Sequence, residues 1–236
     1  MALKLSVFIL SFILASAQEV SLVDSEKDIV ILRGNRDILT YHKSEVAPPE
    51  GAKKAYRRSG FIHPLKSPKG GIVTGIHPSD HLHHLGLWHA WVKSKHGKDQ
   101  PDFWNLGKES GKVRFLKLLN KNATGFTVEQ EQVAFKGSKM EETVILKEAL
   151  SISVRTTNEA NIIDYHLTQK NVSSEKLELP IYRYGGPLAY RGPHSWNSKN
   201  SNYLTSAGKM RRDSHATRAN WCAIFGPTEK GDATIT

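Results

Sequence analysis

Residues 29–41, with the sequence IVILRGNRDILTY, predict a β-hairpin near the start of the chain. Two apolar runs, residues 29–32 and 37–41, flank a polar turn at 33–36 that contains a glycine. Short β-branched and aromatic runs separated by turn residues are typical of paired antiparallel strands. The hairpin therefore predicts that the chain begins its fold with antiparallel β-structure.

The same pattern of short apolar runs and turns continues along the chain. Further predicted strands cover residues 61–65, 72–76, 113–119, 126–135, 143–156, 162–168, 177–184, 219–225 and 233–236. Residues 139–149 also contain good helix formers, but the β-branched run at 143–145 favours a strand. We therefore predict an all-β protein. The expected architecture is an antiparallel β-sandwich or a larger layered β fold, of which a galactose-mutarotase-like supersandwich is one form.

The N-terminus has the pattern of an export signal. Lys4 precedes an apolar run at residues 5–14, and Ala15-Ser16-Ala17 forms a small-x-small cleavage site. The apolar run is short for a membrane span, and no later segment is apolar enough for a membrane helix. We predict a signal peptide at residues 1–17, a secreted or periplasmic location, and a single β-rich domain at residues 18–236.

The distribution of charge argues against a nucleic-acid partner, and the cysteine content excludes an intrachain disulfide. The 236 residues carry a formal charge of +10, but the basic residues are scattered and accompany no recognisable nucleic-acid module. We therefore predict no nucleic-acid partner. The single cysteine, Cys222, excludes an intrachain disulfide, and its apolar surroundings predict that it is buried.

Residues 77–91, HPSDHLHHLGLWHAW, hold five of the eleven histidines. If this segment is extended, His81 and His83 share one face of a strand and His84 lies on the other. One hypothesis is a divalent transition metal held by His81 and His83, with a third ligand from Asp80, His77, His194 or His215. The second is metal-free acid–base chemistry in which Asp80 orients a histidine. The third is a structural role in a packed loop.

Residues 182–192, YRYGGPLAYRG, form a second candidate surface. Arg183 and Arg191 are candidates to clamp a carboxylate or to bridge to Asp80. The rings of three aromatic residues are candidates to stack on a sugar: Tyr184, Tyr190 and Trp196. The alternative is a strand that ends in a turn, with its aromatic side chains in the core.

Several motifs resemble, in order, the bacterial PmoA-like family, also called "methane oxygenase PmoA". They are residues 61–65 (FIHPL), 78–88 (PSDHLHHLGLW), 102–104 (DFW), 184–186 with Tyr190-Arg191, and 205–208 with Trp221. The resemblance implies an exported, β-rich protein linked with sugar processing, and it adds Asp80 and His84 to the candidate site. Members of that family continue beyond this point, so the resemblance also implies a domain that is incomplete at its C-terminus.

These features favour an exported carbohydrate-processing enzyme, either a hydrolase, a lyase or an epimerase, with a carbohydrate or other small molecule as its ligand. The catalytic candidates are Asp80, His81, His83 and His84. The substrate-binding candidates are Arg183, Tyr184, Tyr190, Arg191 and Trp88. The candidate metal ligands are His81 and His83. Two alternatives remain open: a copper- or iron-dependent oxygenase, as the family name implies, or a non-catalytic glycan-binding module.

Overall fold

The computed structural model describes residues 19–137, 140–182, 186 and 188–236. Its strands are β1 (Val20–Asp24), β2 (Asp28–Arg33), β3 (Arg36–His42), β4 (Phe61–Leu65), β5 (Leu87–His89), β6 (Lys95–His96), β7 (Gly111–Asn122), β8 (Gly125–Lys136), β9 (Glu141–Thr156), β10 (Asn161–Asn171), β11 (Leu177–Glu178), β12 (Leu188–Tyr190), β13 (Asn202–Thr205), β14 (Cys222–Thr228) and β15 (Gly231–Ile235). Two short 3₁₀ helices lie at Lys54–Tyr56 and Leu106–Lys108. The predicted all-β class is confirmed.

The strands form antiparallel sheets that follow the chain closely. A six-stranded sheet has the order β1-β2-β3-β4-β5-β12, and a four-stranded sheet has the order β10-β9-β8-β7. Two smaller sheets pair β11 with β6 and order the C-terminal strands as β13-β14-β15. Most neighbours are consecutive in sequence, but β12 joins β5 across about a hundred residues of chain. That long-range pairing brings the second candidate surface next to the histidine segment.

The two large sheets pack face to face around a hydrophobic core. Alternate residues of each strand point inward, as the spacing of Ile29 and Ile31 on β2 and of Leu150 and Ile152 on β9 shows. The ring of Tyr41 contacts Phe126 across the interface, with ring centroids 5.2 Å apart. Burial of these apolar side chains, at about 25 cal/mol per Å² of apolar surface, is the main force that holds the two layers together.

A second core lies at one end of the sandwich, under the histidine segment. It contains the buried aromatic side chains Phe61, Trp88, Phe103 and Trp104 together with aliphatic residues from β7 and β9. Asp102 fixes the turn that carries Trp104, because one of its carboxylate oxygens accepts the backbone N–H groups of Trp104 and Asn105. This core therefore places two tryptophans directly beneath the candidate site.

Outside the histidine segment, several sequence predictions differ from the structure. Residues 72–76 form only isolated bridges at their two ends, because Gly75 and the following turn interrupt the strand. Within residues 177–184 only Leu177–Glu178 is a strand, and residues 183 and 184 lie outside the described part of the chain. Cys222 is exposed rather than buried, because it begins β14 at the start of the small C-terminal sheet.

Within the described ranges, no helix has the length and apolar character needed to cross a membrane.

Candidate functional site

The histidine segment is a pair of tight turns, so the prediction that it extends as a strand from residue 81 is wrong. The backbone N–H of His81 donates to the carbonyl of Pro78, and that of His84 donates to the carbonyl of His81. His77 closes the loop at its base, because its N–H donates to the carbonyl of His84 over 2.9 Å. Strand β5 begins only at Leu87, after Gly86 adopts a φ of 65°.

The turns bring three imidazoles together on one side of the loop. The rings of His81 and His84 are stacked, with centroids 4.7 Å apart and planes 17° apart. His83 lies edge-on to both, at 5.7 Å from His81 and 4.6 Å from His84. His84 also contacts Trp88 at 5.3 Å, and Trp88 contacts Trp104 at 5.1 Å. His84 therefore lies with His81 and His83, not on an opposite face.

A cavity of about 670 Å³ opens against this cluster. Its wall combines imidazole, indole, amide and hydroxyl groups with small apolar side chains. The lining residues are His81, His83, His84, Trp88, Trp104, Asn105, Leu188, Ala189, Tyr190, His215, Ala216 and Thr217. Ligand sites in proteins are commonly concave, largely apolar and supplied with a few converging polar groups. The composition of this wall matches that description.

Two charged residues, Asp80 and Arg191, lie at the edge of the imidazole cluster and contact its rings. The carboxylate of Asp80 lies 3.0 Å from Nδ1 of His81, and this contact is the largest influence that lowers the pKa of Asp80. Arg191 bridges from the neighbouring chain segment, with its guanidinium 3.4 Å from Asp80 and 3.4 Å from Nδ1 of His84. The bridge between Arg191 and Asp80 is one of the two roles that the sequence suggested for this arginine.

The imidazoles of His83 and His84 are held in the neutral form at neutral pH. Burial lowers the pKa of His83 to about 4 and that of His84 to about 3, with smaller contributions from the neighbouring imidazoles. Among the described residues, no three His, Cys, Asp or Glu side chains are arranged to hold a metal ion. Metal binding by His81 and His83 stays a prediction.

The other predicted residues divide into three groups. Trp88 and Tyr190 line the cavity, and the hydroxyl of Tyr190 donates to the backbone carbonyl of Val73. Trp196 packs elsewhere, against Gly226, and its indole N–H donates to the carbonyl of Pro227. Arg183, Tyr184 and the signal-peptide segment at residues 1–17 lie outside the described residues.

Sequence reasoning assigned no ligand-binding role to several residues that line the cavity. Trp104 and Asn105 come from the loop after β6, and Thr217 comes from the loop before β14. His215 lies in the same later loop, although the sequence suggested it only as a distant metal ligand. No local sequence pattern marks these residues as part of a ligand site. The packing of loops that are distant in sequence brings them to the cavity.

A buried polar network between the two large sheets was also missed. The imidazole of His89 lies between the carboxylate of Glu148, at 2.5 Å, and the hydroxyl of Tyr165, at 2.7 Å. Gln132 and Gln169 each donate to the other oxygen of Glu148 over 2.6 Å. Burial alone would raise the pKa of Glu148, but its contacts with His89 and the two amides hold that pKa below its ordinary value.

The sequence carries one signal for this network. Glu148 falls in phase with the inward-facing residues Leu150, Ile152 and Val154 of β9, so strand alternation places its carboxylate in the core. A buried carboxylate needs hydrogen-bond partners, and His89 with the two glutamine amides supplies them. His89, Glu148 and Tyr165 therefore tie β5 to β9 and β10.

Comparison with known protein families gives a match over most of the chain. The model of a family of unknown function, DUF6807, matches residues 28–236. No curated protein and no solved structure matches the chain. The resemblance to the PmoA-like family is therefore wrong as an assignment, and the oxygenase hypothesis that depended on that name loses its basis. The match covers nearly the whole chain and both candidate surfaces, and the chain belongs to the family DUF6807.

Proposed function

We propose that this protein binds a carbohydrate in the cavity beside the histidine cluster and processes it by acid–base chemistry. The observation that carries the proposal is the composition of the cavity wall, where the indoles of Trp88 and Trp104 adjoin the imidazoles of His81, His83 and His84. A sugar ring presents C–H groups on its faces and hydroxyls around its edge. The face of an indole packs against the C–H groups of a sugar, and imidazoles form hydrogen bonds with its hydroxyls.

The volume of the cavity supports a ligand of one or two sugar units. Its 670 Å³ falls within the range of about 300–1,000 Å³ that is typical of small-molecule sites. The aromatic side chains are held by the second core, so the wall is formed before a ligand arrives. A preformed wall lowers the entropic cost of binding.

The pair formed by Asp80 and His81 is the candidate acid–base group. When His81 is neutral, its Nδ1 donates to the carboxylate of Asp80, and the lone pair on Nε2 is left to accept a proton. A carboxylate that fixes the tautomer and orientation of an imidazole is the arrangement that general-base histidines use. Hydrolysis, elimination and epimerisation of sugars all need such a proton acceptor.

Export supports a carbohydrate as the ligand. The signal-peptide pattern at residues 1–17 indicates a secreted or periplasmic protein, which meets glycans outside the cytoplasm.

Filling the cavity tests the binding part of the proposal. Leu188 lines the cavity and is 53% exposed, so Leu188→Trp adds bulk at the opening with little strain on the core. We expect a panel of oligosaccharides, measured by saturation-transfer NMR, to bind the wild-type protein and to lose binding to Leu188→Trp. The matched control is Leu119→Trp, which adds the same ring at an exposed site on β7. Equal binding by all three proteins would place the ligand elsewhere, and no binding to the wild type would refute the proposal.

A further inference from the structure

Asn105 offers an oxygen to the cavity, because its amide nitrogen already bonds to Asp102. The Nδ2 of Asn105 donates to one carboxylate oxygen of Asp102 over 2.8 Å. A carboxylate can only accept, so this contact fixes which end of the amide is the nitrogen. Within the described ranges, the Oδ1 of Asn105 accepts no hydrogen bond and is not sealed in the core, and the residue lines the cavity. This oxygen is therefore open to a ligand as an acceptor.

Asp102 holds the amide in this orientation. The carboxylate is buried, and its other oxygen accepts the backbone N–H groups of Trp104 over 3.0 Å and of Asn105 over 2.8 Å. The ammonium of Lys108 lies 2.7 Å from the oxygen that the amide contacts. Each carboxylate oxygen thus has two donors. The amide of Asn105 cannot turn over without placing its own oxygen against a carboxylate oxygen, so Asp102 acts as a positioning residue.

The hydroxyl of Thr217 is oriented in the same sense. Its Oγ1 donates to the backbone carbonyl of Ser214 over 2.7 Å, and a carbonyl oxygen can only accept. The hydrogen is therefore used inside the loop, and Thr217 offers lone pairs to the cavity that it lines. Neutral His81 adds a further acceptor, since its Nδ1 faces Asp80. Three acceptors from separate segments of the chain thus line one cavity.

These acceptors favour a ligand group that brings a hydrogen. A free hydroxyl can donate to an amide oxygen or to the lone pair of a hydroxyl, whereas an ether, an ester or a sulfate can only accept. An acceptor-only group placed against Asn105 or Thr217 would leave the oxygens of both partners without a hydrogen bond. A polar group that loses water and gains no partner weakens binding.

We infer that Asn105 and Thr217 select the sugar by accepting hydrogen bonds from its free hydroxyls, and that Asp102 positions Asn105 for this role. A sugar whose hydroxyls at this wall are methylated, acylated or sulfated is then rejected. The inference rests on the proposed function, because it names the residues and the ligand groups that give that site its specificity. It goes beyond that function, because the indoles and imidazoles alone would accept a substituted sugar equally well.

Calorimetry with fluorinated sugars tests the inference. The probe is the oligosaccharide of the binding panel with the highest affinity, together with analogues in which one hydroxyl at a time is replaced by fluorine. Fluorine is close to a hydroxyl in size but cannot donate. We expect particular analogues to bind the wild type about tenfold more weakly than the parent sugar, as the loss of one hydrogen bond requires.

The weakening should depend on the residue that accepts the hydrogen bond. For one analogue it should disappear in Asn105→Ala, and for another in Thr217→Val, because each variant lacks the acceptor. The matched controls Asn158→Ala and Thr168→Val remove the same groups at exposed positions that do not line the cavity, and they should keep both losses of affinity.

Asp102→Asn gives a readout that a purely structural role would not move. The oxygen that accepts the two backbone N–H groups must stay an oxygen, so the new amide nitrogen replaces the oxygen that faces Nδ2 of Asn105. The amide of Asn105 then turns over and presents its N–H groups to the cavity. We expect the folded variant, checked by thermal unfolding, to bind the analogue that depends on Asn105 as tightly as the parent sugar.

The outcomes separate the inference from the proposed function. If every fluorinated analogue binds the wild type as tightly as the parent sugar, or if the losses persist in Asn105→Ala and Thr217→Val, the inference is overturned and the proposed function stands. A folded Asp102→Asn that keeps the loss would overturn the positioning role. If no oligosaccharide of the panel binds, both the inference and the proposed function fail.

Discussion

The imidazoles of His81 and His84 are stacked, with centroids 4.7 Å apart, and each contacts a charged residue. The two charged residues have opposite signs. Nδ1 of His81 faces the carboxylate of Asp80, and Nδ1 of His84 faces the guanidinium of Arg191. In their neutral forms the two rings therefore hold opposite tautomers, with the lone pair of His81 and the proton of His84 each on Nε2. Two adjacent rings with these different roles can accept a proton and hold a ligand oxygen within one site.

Gly86 is required for the backbone of the loop that carries these rings. A Cβ at this position would lie 2.2 Å from the carbonyl oxygen of Ile62, and its φ of 65° disfavours any other residue. We expect Gly86→Ala to lower the free energy of unfolding by about 3 kcal/mol or more, measured by urea denaturation. Gly51→Ala is the control, because Gly51 also has a positive φ but has open space around it, so its loss should be about 1–2 kcal/mol. Equal losses would mean that the contact with Ile62 is unimportant.

The buried pair of His89 and Glu148 should contribute strongly to stability. Glu148→Gln leaves His89 buried without its carboxylate, so we expect a loss of about 3 kcal/mol in the free energy of unfolding. Glu142→Gln on the same strand removes an exposed partner of Arg114 and should cost less than about 1 kcal/mol. A loss for Glu148→Gln as small as that of the control would show that the network is dispensable.

The hairpins could be predicted from the sequence because their signals are local. The alternation and turn residues at 29–41 correctly predict β2 and β3, and the long runs at 113–135 correctly predict β7 and β8. The histidine segment was misassigned because its alternation at 81–89 also suits a strand, while the turn depends on Pro78 and on the left-handed conformation of Gly86. The density of histidines nevertheless located the cluster.

The rest of the site depends on contacts between distant parts of the chain. Arg191 lies 111 residues from Asp80, and the pairing of β12 with β5 is what brings them together. Trp104 and His215 come from two loops that are distant in sequence, and both line the cavity. No local pattern encodes such a meeting, since it follows from how the sheets and loops pack.

Stability should fall as the solution becomes acidic, in part because of His63. Burial lowers the pKa of His63 to about 4, with further lowering by His42, His194 and His77. The unfolded chain, with an ordinary pKa near 6.5, takes up the proton first, so stability is lost as the pH falls from about 6.5 towards 4. After allowance for solvent screening, we expect His63→Gln to reduce the loss between pH 7 and pH 5 by about 1 kcal/mol.

Thermal or urea unfolding at a series of pH values checks this prediction. The control is His166→Gln, which replaces an exposed histidine on β10. If His63→Gln and His166→Gln change the pH profile equally, the burial of His63 is not the cause of the acid sensitivity.

Turnover by a His81 variant tests the central claim most directly. The oligosaccharides of the binding panel are incubated with the wild type, with His81→Asn and with His166→Gln, and the products are separated by mass and stereochemistry. We expect the wild type and His166→Gln to form product. His81→Asn should still bind the sugar in calorimetry but react about a hundredfold or more slowly, as loss of a general base requires. Unchanged turnover by His81→Asn, or no product from the wild type with a sugar that it binds, would contradict a carbohydrate-processing site at His81.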